Sequence, residues 1–165
     1  MEYIDLYDVN KNKINKIHFR GKKQNLGEYA LAVNIWIIND RKEILLTQRH
    51  PEEKNWPLKW ECTGGLVIAG EDSYNGALRE VEEEIGIKLK TKGEIIDTVV
   101  LKDYIKDIYL FRENIEIIET ILEKNSVINI KWVTVYELNQ MIKNEEITEP
   151  NLYDIKKIKE IMVWE

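Results

Sequence analysis

The chain has little with which to staple itself, coordinate a soft metal or cross a membrane. A single cysteine, Cys62, in 165 residues permits no internal disulfide and fits a reducing, cytoplasmic setting. The two histidines, His18 and His50, stand isolated in sequence, which argues against a histidine metal site. The longest apolar run, residues 30–38, is short and broken by Asn34, so nothing reads as a membrane span. Glu2 and Asp5 occupy the region where a signal peptide needs basic residues and then an apolar core. Positive charge is in deficit too: 24 Lys and Arg face 30 Asp and Glu, a formal charge of −6. That balance argues against a nucleic-acid polymer held through its backbone. It leaves room for small polyphosphates, whose charge a metal ion can neutralise locally. Internal repeats and low-complexity linkers are absent from the sequence.

What is there suits a soluble globular protein, 44% hydrophobic and 33% charged. Residues 1–165 amount to one domain, with residues 1–27 as an N-terminal strand or hairpin extension. Strands are expected at Tyr3–Val9 and Ile14–Phe19 around a polar turn. The six basic residues from Lys11 to Lys23 read as a solvated edge or as a phosphate-collecting arm. Tyr29–Ile38 is the first core strand, and its Asn34 either faces a ligand or is a satisfied buried amide. Ile44–Arg49 returns, ending on Arg49, which is a candidate to hold a phosphate or to form a surface ion pair. In the loop that follows, Trp56 is a candidate to stack on a base. Trp60 is expected to pack under the next glycine turn. Cys62 has no neighbouring base and reads as a small core residue.

Further along, strands are expected at Glu94–Leu101, Tyr104–Phe111 and Val127–Val133, while Ile115–Lys124 is ambiguous between strand and irregular helix. Thr134 and Glu137 form a capping box that opens a helix over Tyr136–Lys143. Pro150 opens a last helix through about Met162, with Leu152, Ile155, Ile158 and Ile161/Met162 as its buried stripe. Strands, a helix, strands, then helices fit an α/β sandwich with a mixed sheet.

The stretch that organises the rest runs from Gly64 to Ile87, GGLVIAGEDSYNGALREVEEEIGI. Asp72 and Ser73 are good N-caps, and Gly86 sits where a helix stops in a left-handed conformation. On a helical wheel Tyr74, Leu78, Val81 and Ile85 share one buried stripe. Glu80, Glu83 and Glu84 fan across an exposed arc away from it, and Glu82 points elsewhere. Gly76 and Ala77 lie on the carboxylate face one turn earlier and leave room for an approaching group. Like charges at these spacings repel by a few tenths of a kcal/mol per pair. The residues alone leave two readings: a solvated acidic face, or a site for hard cations such as Mg²⁺ or Mn²⁺ that bridge to phosphates.

With Gly65, Glu71, Arg79-Glu80-Val81, Glu83-Glu84 and Gly86-Ile87, the segment 65–87 resembles the Nudix box, G-x5-E-x7-R-E-U-x-E-E-x-G-U (U apolar), with every fixed position and both spacings intact. The resemblance implies an α/β/α sandwich with a central mixed sheet. It also implies a Nudix hydrolase of the MutT type, which cleaves the diphosphate of a nucleoside diphosphate linked to another group. By the same resemblance, Mg²⁺ or Mn²⁺ would be held by Glu80, Glu83, Glu84 and the Gly64 carbonyl. Glu83 or Glu84 would take the proton of the attacking water. Arg79 would orient Glu83, and Glu71 would brace the loop. A small-molecule diphosphate is the implied partner, and a homodimer the family-based expectation.

The segment from Gly27 to Glu61 is similar to the Nudix branch related to isopentenyl diphosphate isomerase. That isomerase needs a cysteine beside the box glycine and several histidines. Here Gly64, not Cys62, falls at the cysteine position. Many relatives carry a further glutamate just before the strand equivalent to Val127–Val133. Asn125-Ser126 stand there instead, with Glu123 slightly earlier and Glu119 further back; this leaves open which residue completes the site and whether the box acts alone, and Glu123 is a candidate substrate contact. Three functions are therefore in contention: a metal-dependent pyrophosphohydrolase, a ligand sensor that has lost turnover, and an isomerase.

Overall fold

The apolar run at residues 30–38 becomes the strand on which the sheet is built. A computed structural model describes residues 2–164, with Trp164 in backbone only. In chain order its strands are β1 (Tyr3–Tyr7), β2 (Lys13–Phe19), β3 (Ala30–Ile38), β4 (Ile44–Arg49), β5 (Trp60–Glu61) and β6 (Thr63–Leu66). After helix α1 (Ser73–Ile85) come β7 (Glu94–Val100), β8 (Tyr104–Arg112), β9 (Val127–Val133), and helices α2 (Val135–Lys143) and α3 (Asn151–Trp164). β3 is buried along its whole length except at Asn34, so it needs no polar alternation. Leu31, Val33, Ile35 and Ile37 face a core that α1 closes with Ala77, Val81 and Ile85. Trp36 and Ile38 face a second core, closed by Leu138 and Met141 of α2 and Ile155 and Ile158 of α3. A mixed sheet between helical layers results, the α/β sandwich expected from the order of elements and the α/β/α layering that the resemblance implies.

The sheet divides where the site lies. β3 runs parallel to β8 from Ala30 opposite Tyr104 to Ile38 opposite Arg112, and β7 adds antiparallel to β8. β3 and β4 pair only at Ile38 and Ile44 and then part. β3 takes β6 as its neighbour, from Ile35 opposite Thr63 to Ala32 opposite Leu66. β4 takes β5 and β9. The chain crosses from one arm to the other at Cys62, so Glu61 and Gly64 reach the base of α1 from different arms. β1 and β2 form a separate antiparallel hairpin. It is clipped to the body by Ala69 N–H on Tyr3 O and Gly70 N–H on the Asp5 carboxylate, both 2.8 Å, and by Lys11 on the buried Asp107.

Three local expectations change. Residues 115–124 form neither strand nor continuous helix, only a single 3-10 turn at Ile117–Glu119. The segment's backbone serves α1: Ile121 N–H donates to Ile85 O at 2.9 Å and Glu123 N–H to Glu84 O at 3.0 Å. These bonds satisfy carbonyls that the helix end leaves open. Gly86 permits the contact, with φ of 72° and no Cβ, since a Cβ there would lie 2.8 Å from that of Ile121.

In α3 the buried stripe runs through Asn151, Asp154, Ile155 and Ile158, whereas Leu152 is 42% exposed. Asp154 turns the helix by accepting from Lys106 Nζ and Asn34 Nδ2, each at 2.6 Å, and from Trp36 Nε1 at 3.3 Å. A fully partnered buried carboxylate fixes that orientation. It also makes Asn34 a satisfied amide rather than a ligand-facing one. Trp60 packs into the second core beneath Lys131, whose Nζ lies 4.2 Å from the ring centroid, and not under the glycine turn.

Candidate active site

The polar signals at both ends fix α1 in place. Asp72 accepts from Asn75 N–H at 2.7 Å, and Gly86 N–H closes onto Glu82 O at 3.0 Å. Val81 and Ile85 are fully buried, while Tyr74 and Leu78 are only partly covered at the rim of the core. Gly76 and Ala77 are buried as well. The space beside Gly76 is filled from within, since a Cβ there would meet the Val67 side chain at 3.0 Å. The small residues therefore seat the helix on β6 and its following loop and do not open a path for a ligand.

The three carboxylates do not share one environment. Glu80 is only 7% exposed, against the exposed arc read from the wheel, because Gly65 makes room for it. A Cβ on Gly65 would lie 2.4 Å from the Glu80 carboxylate. Glu83 keeps a side chain 54% exposed. Glu84 projects inward, and its Oε2 is enclosed without a hydrogen-bond partner among the described residues. Burial pushes the Glu84 carboxyl well above the ordinary range, and the neighbouring charges of Glu61, Glu80 and Glu123 push the same way, opposed by the Gly64 N–H. Burial also raises Glu80, against the pull of Arg79.

Arg79 is the hub. Its Nε donates to both Glu71 oxygens at 2.9 and 3.1 Å, and its Nη1 to Glu80 at 2.8 Å and Glu83 at 2.9 Å. Its Nη2 donates to Leu66 O at 2.9 Å and to Glu71 at 3.1 Å. Burial works against the guanidinium, but the bonds to Glu71 and Glu80 outweigh it and raise its pKa. A planar fork with this many fixed donors is what arginine supplies and lysine does not. In this arrangement Glu80 and Glu83 lean on Arg79. Among the described residues no three His, Cys, Asp or Glu side chains stand gathered as a cation cage.

The residues proposed outside the helix separate. Glu123 is brought to the site by its backbone bond to Glu84, although its own side chain is exposed. Glu119, in the 3-10 turn, is exposed too. Arg49 is occupied, donating to Glu61 at 2.6 Å, Glu53 at 2.8 Å and Asn55 O at 2.9 Å, so the ion-pair reading describes it and the free phosphate clamp does not. Trp56 is 40% exposed in the loop before β5 with a φ of 48°. The structure adds Glu61 to the surroundings of Glu84. Burial raises the Glu61 carboxyl, opposed by Arg49, and its charge acts on Glu84. A glutamate between Trp60 and Cys62 in a short apolar strand was the only available signal.

A mixed sheet between helical layers carries an arginine-braced carboxylate helix against a glycine strand. Comparison with known proteins places this arrangement among hydrolases of phosphoric anhydrides. The NUDIX domain model matches residues 28–154, and the chain belongs to the Nudix family. An uncharacterised Nudix hydrolase of Listeria monocytogenes is 28% identical over 148 residues, covering 88% of each chain. The crystal structure of DR0079 from Deinococcus radiodurans shares the fold with a TM-score of 0.77 at 18% identity, covering 96% of this chain and 98% of that one. The Nudix domain of Shewanella oneidensis NrtR, solved with ADP-ribose, gives a TM-score of 0.67 at 17% identity, covering 88% and 94%. Among the described residues no helix is long and apolar enough to cross a membrane.

Proposed function

We propose that the enzyme is a divalent-metal-dependent pyrophosphohydrolase that cleaves a nucleoside diphosphate linked to a second group. The observation that carries this reading is Glu84 Oε2, an enclosed carboxylate oxygen without a hydrogen-bond partner among the described residues, within electrostatic reach of Glu61, Glu80 and Glu123. Unpaired buried carboxylates are costly, and a hard cation with oxygen ligands removes the cost. Glu80, Glu83, Glu84 and the Gly64 carbonyl are the groups that would hold Mg²⁺ or Mn²⁺, with Glu61 and Glu123 as the further carboxylates that act on Glu84. When bound, the ion supplies Lewis-acid stabilisation of phosphate charge and eases deprotonation of water.

The chain's own residues do the rest. Glu83 or Glu84 accepts the proton of the attacking water. The water oxygen bonds to one phosphorus, and the bridging P–O bond breaks on the opposite side. The electron pair leaves on the departing phosphate. Arg79 positions Glu80 and Glu83, and Glu71 holds Arg79 from the other side. The ADP-ribose bound by the NrtR domain supports a nucleoside diphosphate linked to a second group as the substrate class. The test is a panel of ADP-ribose, dinucleoside polyphosphates, nucleotide sugars and oxidised nucleotides, assayed with Mg²⁺ and with Mn²⁺. At least one should yield two phosphorylated products. Binding over hours with no product from any of them would favour a sensor instead.

The isomerase reading would require a reactive thiol. Cys62 is 3% exposed within the second core, its N–H is fixed to Asn151 Oδ1 at 2.8 Å, and burial pushes its thiol well up. Such a sulfur is a packing group. Cys62→Ser should therefore keep kcat within about threefold and cost only modest stability. The wild type should not interconvert isopentenyl and dimethylallyl diphosphates. Interconversion that the serine variant abolishes would reverse the assignment.

A further inference from the structure

The six basic residues between Lys11 and Lys23 fall into two groups. Lys11 pairs with Asp107, Lys13 with Asp5 at 2.6 Å, Lys16 with Glu28 at 2.6 Å, and Arg20 with Glu2. Lys22 and Lys23 pair with no carboxylate among the described residues, and Lys22 lies over the Phe19 ring at 5.3 Å. Lysines without a carboxylate partner are free to meet another anion where the surrounding surface offers it a site.

Both lysines, with Lys102 from the turn before β8, line a cleft of about 740 Å³ between the 21–27 loop and that turn. Ile4, Ala30 and Leu66 contribute its apolar lining, joined by Tyr29 and Tyr104. Asp103 is its one carboxylate. The volume lies within the range of small-molecule sites, and an apolar lining with a few convergent charges is their usual chemistry.

One side of the cleft adjoins the carboxylate helix. Leu66, in its lining, gives its carbonyl to Arg79 Nη2 at 2.9 Å. The preceding residue, Gly65, is the one against which Glu80 packs. Arg20, immediately before the loop, acts electrostatically on Glu80. The cleft therefore shares Leu66 with the Arg79 network and offers a diphosphate at the helix carboxylates a neighbouring recess lined by Lys22, Lys23 and two tyrosines.

We propose that this cleft holds the nucleotide half of the substrate, its phosphate drawn to Lys22, Lys23 and Lys102 and its base laid against Tyr29 and Tyr104. The assignment rests on the pyrophosphohydrolase reading for the choice of ligand class. Stacking on tyrosine tolerates different bases, so the cleft selects nucleotides as a class.

The probe is AMP in the presence of EDTA, which isolates the cleft from any cation site. Wild type should bind AMP saturably by calorimetry or NMR. The combined variant Lys22→Ala, Lys23→Ala, Lys102→Ala should bind it at least about tenfold more weakly. A control with the same charge change on other exposed positions, Lys90→Ala, Lys92→Ala, Lys143→Ala, should bind as wild type does. With a hydrolysed substrate, the cleft variant should raise KM about tenfold or more and keep kcat within about threefold. Absence of AMP binding to wild type, equal weakening in the control, or an unchanged KM would each overturn the proposal. If no compound is hydrolysed yet AMP binds and the cleft variant loses it, the hydrolase reading falls and the cleft stands. If hydrolysis proceeds with KM unchanged, the reverse holds.

Discussion

Glu84→Gln is expected to lower turnover at least about a hundredfold, at the lower scale of acid–base contributions, with the fold retained. The substitution keeps the shape of the side chain and removes only its ability to carry charge and accept a proton. Glu84 is the carboxylate with most to lose, since its Oε2 has no hydrogen-bond partner among the described residues and three acidic neighbours act on it. Glu83→Gln should fall in the same range from a different position, because Glu83 is solvent-facing and bonded to Arg79 at 2.9 Å. Circular dichroism and a melting curve close to wild type would show that the loss is chemical. Wild-type kcat in both variants at saturating Mg²⁺ would remove these residues from the reaction.

Val81→Asp should act through the core instead. Val81 is fully buried between α1 and the face of β3 that carries Leu31, Val33, Ile35 and Ile37. A carboxylate placed there lacks a partner and loses its hydration, which costs several kcal/mol. Stability of a domain this size is itself only about 5–15 kcal/mol, so the variant should melt far below wild type or fail to fold. An unchanged melting temperature would mean that the helix presents another face to the sheet.

Much of this architecture was legible because the signals were local. Ile44–Arg49 and Val127–Val133 were read from sequence with the bounds they have in the structure, since β-branched runs between turn residues identify strands well. The capping box at Thr134 and Glu137 is formed by both of its hydrogen bonds. The glycine stop of α1 at Gly86 stands where the sequence put it. What escaped were features set by partners distant in sequence. Leu152 yields its place to Asp154 because Lys106, Asn34 and Trp36 wait on the sheet, and no helical wheel contains them. Residues 115–124 look apolar enough for an element, but their backbone is spent on the end of α1.

The carboxylate helix shows the same division. The spacing of Arg79, Glu80, Glu83 and Glu84 was readable, yet their unequal burial was not. Gly65 decides it, by admitting Glu80 where any other side chain would collide. Glu61 was invisible as a neighbour of Glu84 because it arrives on the other arm of the divided sheet, paired to β4 rather than β3.

The carboxylates around Glu84 are expected to hold the divalent ion on which hydrolysis depends. Titration of the protein with Mn²⁺, followed by electron paramagnetic resonance, tests it most directly. Wild type should show saturable binding, Glu84→Gln should weaken it at least about tenfold, and activation of hydrolysis should follow the wild-type binding curve. Equal Mn²⁺ affinity in the two proteins, or full hydrolysis in excess EDTA, would contradict the account.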